Sequence, residues 1–132
     1  MARPELPRPT DAELAILRVL WQHGPSTVRQ VRDVLDRTQP TGYTTVLKFF
    51  QIMIEKGLVV RDESQRTHVY RARRSEAQTQ GQLIGDLVRR AFGGSASKLV
   101  MQALASGKAS SDELAEIREL IEDLERKRGG DS

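Results

Sequence analysis

The stretch from Ser26 to Tyr70 decides the fold, and it reads STVRQVRDVLDRTQPTGYTTVLKFFQIMIEKGLVVRDESQRTHVY. Its first part follows Pro25 and carries valines and a leucine at helical spacing over residues 28–35. This pattern predicts a short helix with one apolar face, and the hydroxyl of Ser26 is the expected N-cap. The polar residues 36–40 then predict a turn.

A second helix is predicted from Gly42 to Lys56, with Thr41 as its N-cap and Gly57 as its terminator. Its apolar residues recur at intervals of three and four and predict a buried face, formed by Val46, Phe49, Phe50, Met53 and Ile54. The polar residues of this helix are left on or near the other side, and these are Tyr43, Thr44, Thr45, Lys48, Gln51 and Glu55.

Two short segments rich in β-branched residues follow, Leu58–Arg61 and Thr67–Arg71, joined by the polar segment Asp62–Arg66. They predict an antiparallel ribbon directly after the second helix. Helix, turn, helix and ribbon in this order are typical of a winged helix-turn-helix that reads DNA. The predicted class is therefore mainly α, with three helices and a β-wing followed by a helical dimerisation region.

The start of the second helix is the expected reading surface, because residues there reach base edges in the major groove. The hydroxyl of Thr44 or Thr45 can donate or accept a hydrogen bond, and its methyl group can meet a thymine methyl. Lys48 is long enough to reach a phosphate, and Gln51 lies on the same side. Arg66 at the tip of the wing is the expected cation of a ribbon that lies against the DNA backbone.

Three capping boxes predict further helix starts, at Thr10–Glu13, Ser75–Gln78 and Ser110–Glu113. The apolar residues of the last helix follow a coiled-coil rhythm, which favours pairing of two copies over a tail that folds back on a monomer. The residues expected at this interface are Leu83, Leu87, Leu99, Val100, Leu104, Leu114, Ile117, Ile121 and Leu124.

Composition narrows the function. Residues 1–74 hold thirteen Lys and Arg against eight Asp and Glu, a net charge of +5, while residues 75–132 have a net charge of −2. The basic half contains the predicted reading surface, as expected for a protein that binds a polyanion. Without cysteine and with only His23 and His68, the chain is not expected to bind a metal or a cofactor, and no catalytic motif predicts an enzyme.

We expect a cytoplasmic protein without membrane insertion, because no apolar run approaches the about 20 residues of a membrane helix and the N-terminus lacks a signal-peptide core. The predicted organisation is a flexible arm at 1–9, a winged-helix domain at 10–74, a helical dimerisation domain at 75–128 and a disordered tail at 129–132.

Four segments together resemble the penicillinase-repressor group of winged-helix regulators, the BlaI/MecI type. They are TDAEL from Thr10, HGPSTVRQV from His23, GYTTVLKFFQIMIEKGLV from Gly42 and RTHVY from Arg66. The resemblance implies a homodimeric repressor that binds double-stranded DNA at a palindromic operator until a signal releases it. It also implies that the DNA backbone is contacted by Ser26 and Thr27 and, in the wing, by Arg66, Thr67 and His68.

The mode of release is left open. In the best-known members of the group, cleavage of an Asn-Phe bond ends repression, which implies a regulatory membrane protease as a partner. The aligned segment here reads LVMQA from Leu99 to Ala103, without that bond. The cysteine-rich metal hook of a copper-responsive branch is also absent. Two alternatives stand beside the repressor: a winged helix that binds proteins and not DNA, and a DNA-binding regulator that senses a small molecule directly.

Overall fold

The computed structural model describes residues 8–130, and the chain is mainly α-helical. In chain order its elements are α1 (Asp11–His23), α2 (Val28–Asp36), α3 (Tyr43–Glu55), β1 (Val59–Asp62), β2 (Val69–Ala72), α4 (Glu76–Ala91), α5 (Ala96–Ala105) and α6 (Ser111–Gly130). The chain divides into two compact units, and the boundary falls inside α4, between Leu83 and Ile84.

The N-terminal unit is a winged helix, as the sequence predicts. Its core lies between α1, α2, α3 and the wing and consists of Ile16, Leu17, Val19, Leu20, Val28, Val31, Val46, Phe50, Met53, Leu58, Val59 and Tyr70. The unit extends past residue 74, where the winged-helix domain was predicted to end, into the first turns of α4. Thr79 is buried there, and the indole N–H of Trp21 donates to the carbonyl of Arg74 at 2.9 Å.

Capping boxes start α1, α2, α4 and α6, where side chains satisfy backbone N–H groups that have no partner within the first turn. The boxes predicted at Thr10, Ser75 and Ser110 are all confirmed by reciprocal hydrogen bonds to the residue three positions on. The predicted cap of α2 is wrong. Thr27, and not Ser26, accepts from the backbone N–H of Gln30, whose side chain bonds back to Thr27.

Helix α3 begins without a side-chain cap. Its N-cap is Gly42, and the hydroxyl of Thr41, the predicted cap, donates instead to the carbonyl of Gln39. The predicted stop at Gly57 is confirmed, since Gly57 has a φ of 75° that favours glycine. The next N–H, of Leu58, reaches back to the carbonyl of Met53 at 2.9 Å, which completes a Schellman turn.

The wing is an antiparallel pair in which Val59 faces Ala72 and Asp62 faces Val69. The strands differ from the predicted Leu58–Arg61 and Thr67–Arg71, because Leu58 is used in the turn that ends α3. Thr67 and His68 consequently lie in the connection at the tip and not in the second strand.

A buried ion pair joins α1 to the end of α3. The ammonium of Lys56 lies 2.6 Å from the carboxylate of Glu13, whose side chain is 2% exposed. The same carboxylate accepts from the backbone N–H of Thr10 in the capping box. Burial raises the pKa of Glu13. The hydrogen bonds from Lys56 and Thr10 and the charge of Lys56 together lower it by more than burial raises it, so the pKa lies below its usual value.

The C-terminal unit contains the end of α4 and all of α5 and α6, and none of residues 84–130 is buried. Helix α6 runs through Gly130, so residues 129 and 130 are helical where a disordered tail was predicted. The predicted flexible arm and the end of the tail fall largely on residues 1–7 and 131–132, which lie outside the described residues. From residue 8 to residue 130, no helix is long and apolar enough to span a membrane.

We expect Glu13→Gln to lower the free energy of unfolding at neutral pH by about 1.5–3 kcal/mol, since hydrogen bonds to charged groups contribute in that range. A pKa lowered by folding stabilises the protein above the unfolded value of about 4.5, and this contribution is lost as the pH falls through the folded pKa. The difference from the wild type should therefore shrink below about pH 4.

Urea unfolding followed by the fluorescence of Trp21, the one tryptophan of the chain, measures this difference in the N-terminal unit. Glu55→Gln removes an exposed carboxylate from α3 and is the control. A stability difference that stays constant between neutral pH and about pH 3.5 would show that the ionisation of Glu13 contributes nothing.

Candidate nucleic-acid interface

A groove of about 730 Å³ opens between the start of α2, the start of α3 and the wing. Three separate segments of the chain line it, and their residues are Thr27, Val28, Arg29, Arg32, Tyr43, Leu47, Arg66, Thr67, His68 and Tyr70. Five of the residues predicted to bind DNA meet here, namely Thr27, Tyr43, Arg66, Thr67 and His68. These five residues lie up to 41 positions apart in the sequence, from 27 to 68, and the fold brings them together in one concave surface.

Helix α3 presents a polar stripe to solvent beside this groove. Val46, Phe50 and Met53 anchor the opposite face in the core. Because a helix repeats every 3.6 residues, the exposed positions follow one another along one side, as Thr44, Lys48, Gln51 and Glu55. Thr45 is also exposed, toward α1, where it lines a second cavity of about 310 Å³ with Phe49. Four predicted base or phosphate contacts thus lie on α3 outside the groove.

Cations line the groove, but they differ in how they are held. Arg29 and Arg66 are exposed, and over residues 8–130 neither forms an ion pair. Arg32 is held in place, because its Nε donates to the carbonyl of Thr41 at 3.0 Å and its guanidinium faces two carboxylates of α2. The charges of Arg29 and Arg66 therefore remain available to a ligand.

The N-terminal ends of α2 and α3 carry partial positive charge, and both favour a nearby anion. Helices α1, α4 and α6 carry acidic residues in their first turns, whereas α2, α3 and α5 carry none, and of these three only α2 and α3 border the groove. Arg29 even places a cation in the first turn of α2, where the helix dipole disfavours one. A bound anion would offset that repulsion, and phosphate is the anion that helix N-termini commonly bind.

The wing contributes less positive charge than its arginines alone indicate. Arg61 forms an ion pair with Glu63 at 2.5 Å. The carboxylate of Asp62 accepts from the backbone N–H of Ser64 at 2.9 Å, and this hydrogen bond is the main cause of its lowered pKa. Two acidic side chains thus lie within the wing, and Arg66 is an exposed cation near its tip.

Ser26 does not belong to this surface. It is 4% exposed, and its backbone N–H and carbonyl both bond to Tyr70, at 2.9 and 2.8 Å. Its hydroxyl donates to the carbonyl of Gly24. All three polar groups are thus engaged within the protein, and we leave Ser26 out of the proposed contact set.

The family model described as "Penicillinase repressor" matches residues 9–123. This chain belongs to the penicillinase repressor family. The family is one of transcriptional repressors and not of enzymes. The chain is similar to the penicillinase repressor of Bacillus licheniformis, with 23% identity over 119 residues that span 90% of this chain and 93% of that protein.

Two further similarities concern parts of the chain. The transcriptional regulator BlaI of Mycobacterium tuberculosis is 37% identical over 67 residues, which are 50% of this chain and 49% of that protein. Among solved structures, the solution structure of the monomeric form of Bacillus licheniformis BlaI in complex with the blaP half-operator matches with a TM-score of 0.48. It is 26% identical and covers 55% of this chain and 89% of that chain.

The sequence-based set of DNA contacts lacks two charged residues that line the groove of this repressor-family chain, Arg29 and Arg32. A sequence signal existed for Arg29, since a basic residue in the first turn of a helix without acids is unfavourable unless an anion binds. None existed for Arg32. Its orientation depends on Thr41, which only the turn between α2 and α3 brings near.

The residues predicted for dimerisation lie from α4 to α6, and none of them is buried in the single chain. Leu83, Leu99, Leu104 and Ile117 are partly exposed. The others are open to solvent, with Leu87 at 46%, Val100 at 40%, Leu114 at 41%, Ile121 at 48% and Leu124 at 49%. Ile84, Met101 and Leu120 add further exposed apolar area that the sequence-based set did not include.

Proposed function

We propose that the protein represses transcription as a homodimer that binds a palindromic operator through its winged-helix units. As a member of the penicillinase repressor family, it is a DNA-binding transcriptional repressor. The observation that carries the proposal is the groove with its unpaired arginines beside the polar stripe of α3. In winged helices of this kind a helix enters the major groove of DNA, and α3 with the neighbouring wing suits a major groove flanked by phosphates.

In this proposal the start of α3 enters the major groove. Thr44, Thr45 and Gln51 offer hydrogen-bonding groups to base edges, and Lys48 offers a charge to the backbone. Tyr43 is 50% exposed at the mouth of the groove, where its ring can contact a sugar or a base edge.

Phosphates would flank α3 on both sides of the groove. Thr27 and Arg29 at the start of α2 face one stretch of backbone, and the wing residues Arg66, Thr67 and His68 face another. The N-termini of α2 and α3, which carry no acidic residue in their first turns, add partial positive charge toward the same anions. Phosphate contacts of this kind fix the register of α3 on the duplex without reading its sequence.

Thr44→Ala and Arg29→Ala should weaken DNA binding in different ways. Loss of a base contact typically costs about 1–3 kcal/mol of binding free energy and relaxes specificity at one position. Thr44→Ala should therefore reduce the difference in affinity between operator and random DNA. Loss of a phosphate contact weakens binding to all sequences and lowers the salt slope by about one, which we expect for Arg29→Ala.

Anisotropy titrations at several salt concentrations measure both quantities. Arg18→Ala removes an exposed arginine of α1 that lies outside the groove, and it should change neither the specificity nor the slope by as much. If Arg29→Ala behaves like Arg18→Ala, the groove does not hold a phosphate.

The exposed apolar residues of the C-terminal unit support the homodimer. Because none of residues 84–130 is buried, this unit gains little from the hydrophobic effect and needs a partner to be stable. In α6 the apolar positions Leu114, Ile117, Ile121 and Leu124 follow the a and d rhythm of a coiled coil, which pairs like with like. A second copy of the chain presents the same stripe, and the two-fold symmetry of such a pair matches a palindromic DNA site.

Release of the operator would follow when the two copies separate, because each copy alone holds one half-site. The Asn-Phe bond that is cleaved in the best-known members has no counterpart here, since the 132 residues contain no asparagine. A regulatory membrane protease, if it is the partner that ends repression, would therefore cut a different bond.

Ile121→Asp should convert the dimer into a monomer and weaken operator binding by at least tenfold, because a carboxylate in an apolar seam costs well over about 1.4 kcal/mol. Ala115→Asp adds the same charge to the opposite side of α6 and is the matched control. Sedimentation equilibrium gives the oligomeric state, and binding to the full operator and to a half-site gives the affinity. A dimeric Ile121→Asp variant would contradict the proposed interface.

A further inference from the structure

Thr41, the residue before the N-cap of α3, is held by its backbone from both sides. Its N–H donates to one carboxylate oxygen of Asp36 at 2.9 Å. Its carbonyl accepts from Nε of Arg32 at 3.0 Å. The guanidinium of Arg32 lies 4.0 Å from the other carboxylate oxygen of Asp36, which closes the arrangement. We name these three residues the Thr41 clamp.

The Thr41 clamp fixes the end of α3 that lacks a cap of its own. The N-cap of α3 is Gly42, which has no side chain to bond to the first turn, whereas α1, α2 and α5 each begin with a side-chain cap. Gly42 follows directly on Thr41, so the clamp sets the position of the chain one residue before the helix. Hydrogen bonds to α2 thereby restrict the start of α3, which a glycine N-cap alone would leave free to move.

The position of Asp36 is unfavourable for a helix taken alone. It is the last residue of α2, where the carbonyl end of the helix dipole disfavours a carboxylate. It also adds a negative charge close to a surface that is proposed to meet phosphates. The hydrogen bond to Thr41 and the charge of Arg32 offset the unfavourable interaction of Asp36 with the helix dipole. They do not offset its repulsion of DNA phosphates, so an indirect contribution of Asp36 to binding would explain its presence there.

We propose that Asp36 and Arg32 are positioning residues that set the entry of α3 into the DNA groove and thereby determine specificity. This inference rests on the proposed function. Neither residue needs to touch a base. They act through the backbone of Thr41 on Tyr43, Thr44 and Thr45, which follow within one turn.

Arg32 alone cannot test the proposal, because it also lines the groove and a substitution would remove a phosphate contact at the same time. Asp36 separates the two explanations by sign. Removal of a negative charge near DNA should strengthen binding to every sequence if electrostatics alone matters. Loss of the Thr41 clamp should instead weaken binding to the operator.

The test compares Asp36→Ala, Asp36→Asn and Asp33→Ala in the full chain. Asp33 is the matched control, since it accepts from Arg32 at 3.1 Å and is similarly exposed but does not bond to Thr41. The probe is a duplex that the wild-type protein selects from a randomised library, beside a shuffled duplex. Anisotropy titrations over a range of salt concentrations give the affinities and the salt slopes.

We expect Asp36→Ala to bind the selected duplex about three- to tenfold more weakly, the worth of one lost hydrogen bond, with its salt slope unchanged. Its binding to the shuffled duplex should not weaken. Asp36→Asn keeps an oxygen acceptor for the N–H of Thr41 and should recover most of the specific affinity. Asp33→Ala should bind both duplexes at least as tightly as the wild type.

Amide hydrogen exchange without DNA gives an independent readout. Asp36→Ala should speed exchange at Thr41 and at Val46, whose N–H makes the first hydrogen bond of α3, and Asp33→Ala should not. Specific binding by Asp36→Ala as tight as that of Asp33→Ala, or unchanged exchange, would overturn the positioning role while leaving the repressor intact. A wild-type protein that selects no duplex would overturn the proposed function together with this inference.

Discussion

Tyr70 connects the parts of the winged helix that must keep a fixed geometry for a DNA-binding surface to exist. Its backbone forms two hydrogen bonds with Ser26, just ahead of α2. Its ring, 1% exposed, stacks on Phe50 of α3 with the centroids 4.1 Å apart and the planes 17° from parallel. One residue of the second wing strand thus joins the start of α2, the middle of α3 and the wing, and the groove with Arg29 and Arg66 lies between these three.

This constraint explains which features could be predicted from the sequence. The capping boxes at Thr10, Ser75 and Ser110 depend on hydrogen bonds between residues three positions apart, so local sequence suffices for them. Ser26 has the right chemistry for a cap and the right place before an apolar face. Its assignment as the cap is wrong because its backbone pairs with Tyr70, distant in sequence, and its hydroxyl bonds to Gly24, so that α2 begins one residue later with Thr27 as its cap.

The candidate site follows the same division. Thr44, Lys48 and Gln51 were found from helical spacing alone, and the structure leaves them exposed on one side of α3. Arg32 was missed, because its contact with Thr41 arises only when the turn after α2 folds back. Thr41 was assigned as a cap for its hydroxyl, whereas it is its backbone that Asp36 and Arg32 hold.

The two units divide the physical tasks between them. The N-terminal unit buries its apolar residues and carries the excess of basic charge. Residues 84–132 are nearly balanced, with eight Lys and Arg against nine Asp and Glu, and the leucines and isoleucines that the structure describes there are exposed or partly exposed. The first arrangement suits a polyanion and the second suits a copy of itself. The dimeric repressor that we propose needs both properties, and in this chain they fall to separate sets of residues.

The most direct test of a sequence-reading interface is a fluorescence-anisotropy titration of the full chain against DNA from upstream of its own gene and against a shuffled duplex. Binding should be tight on the native fragment alone, and it should weaken by about 10³ to 10⁵ between 50 and 200 mM salt if some 6–10 phosphates are contacted. Equal binding to both duplexes, or binding that salt does not change, would contradict such an interface.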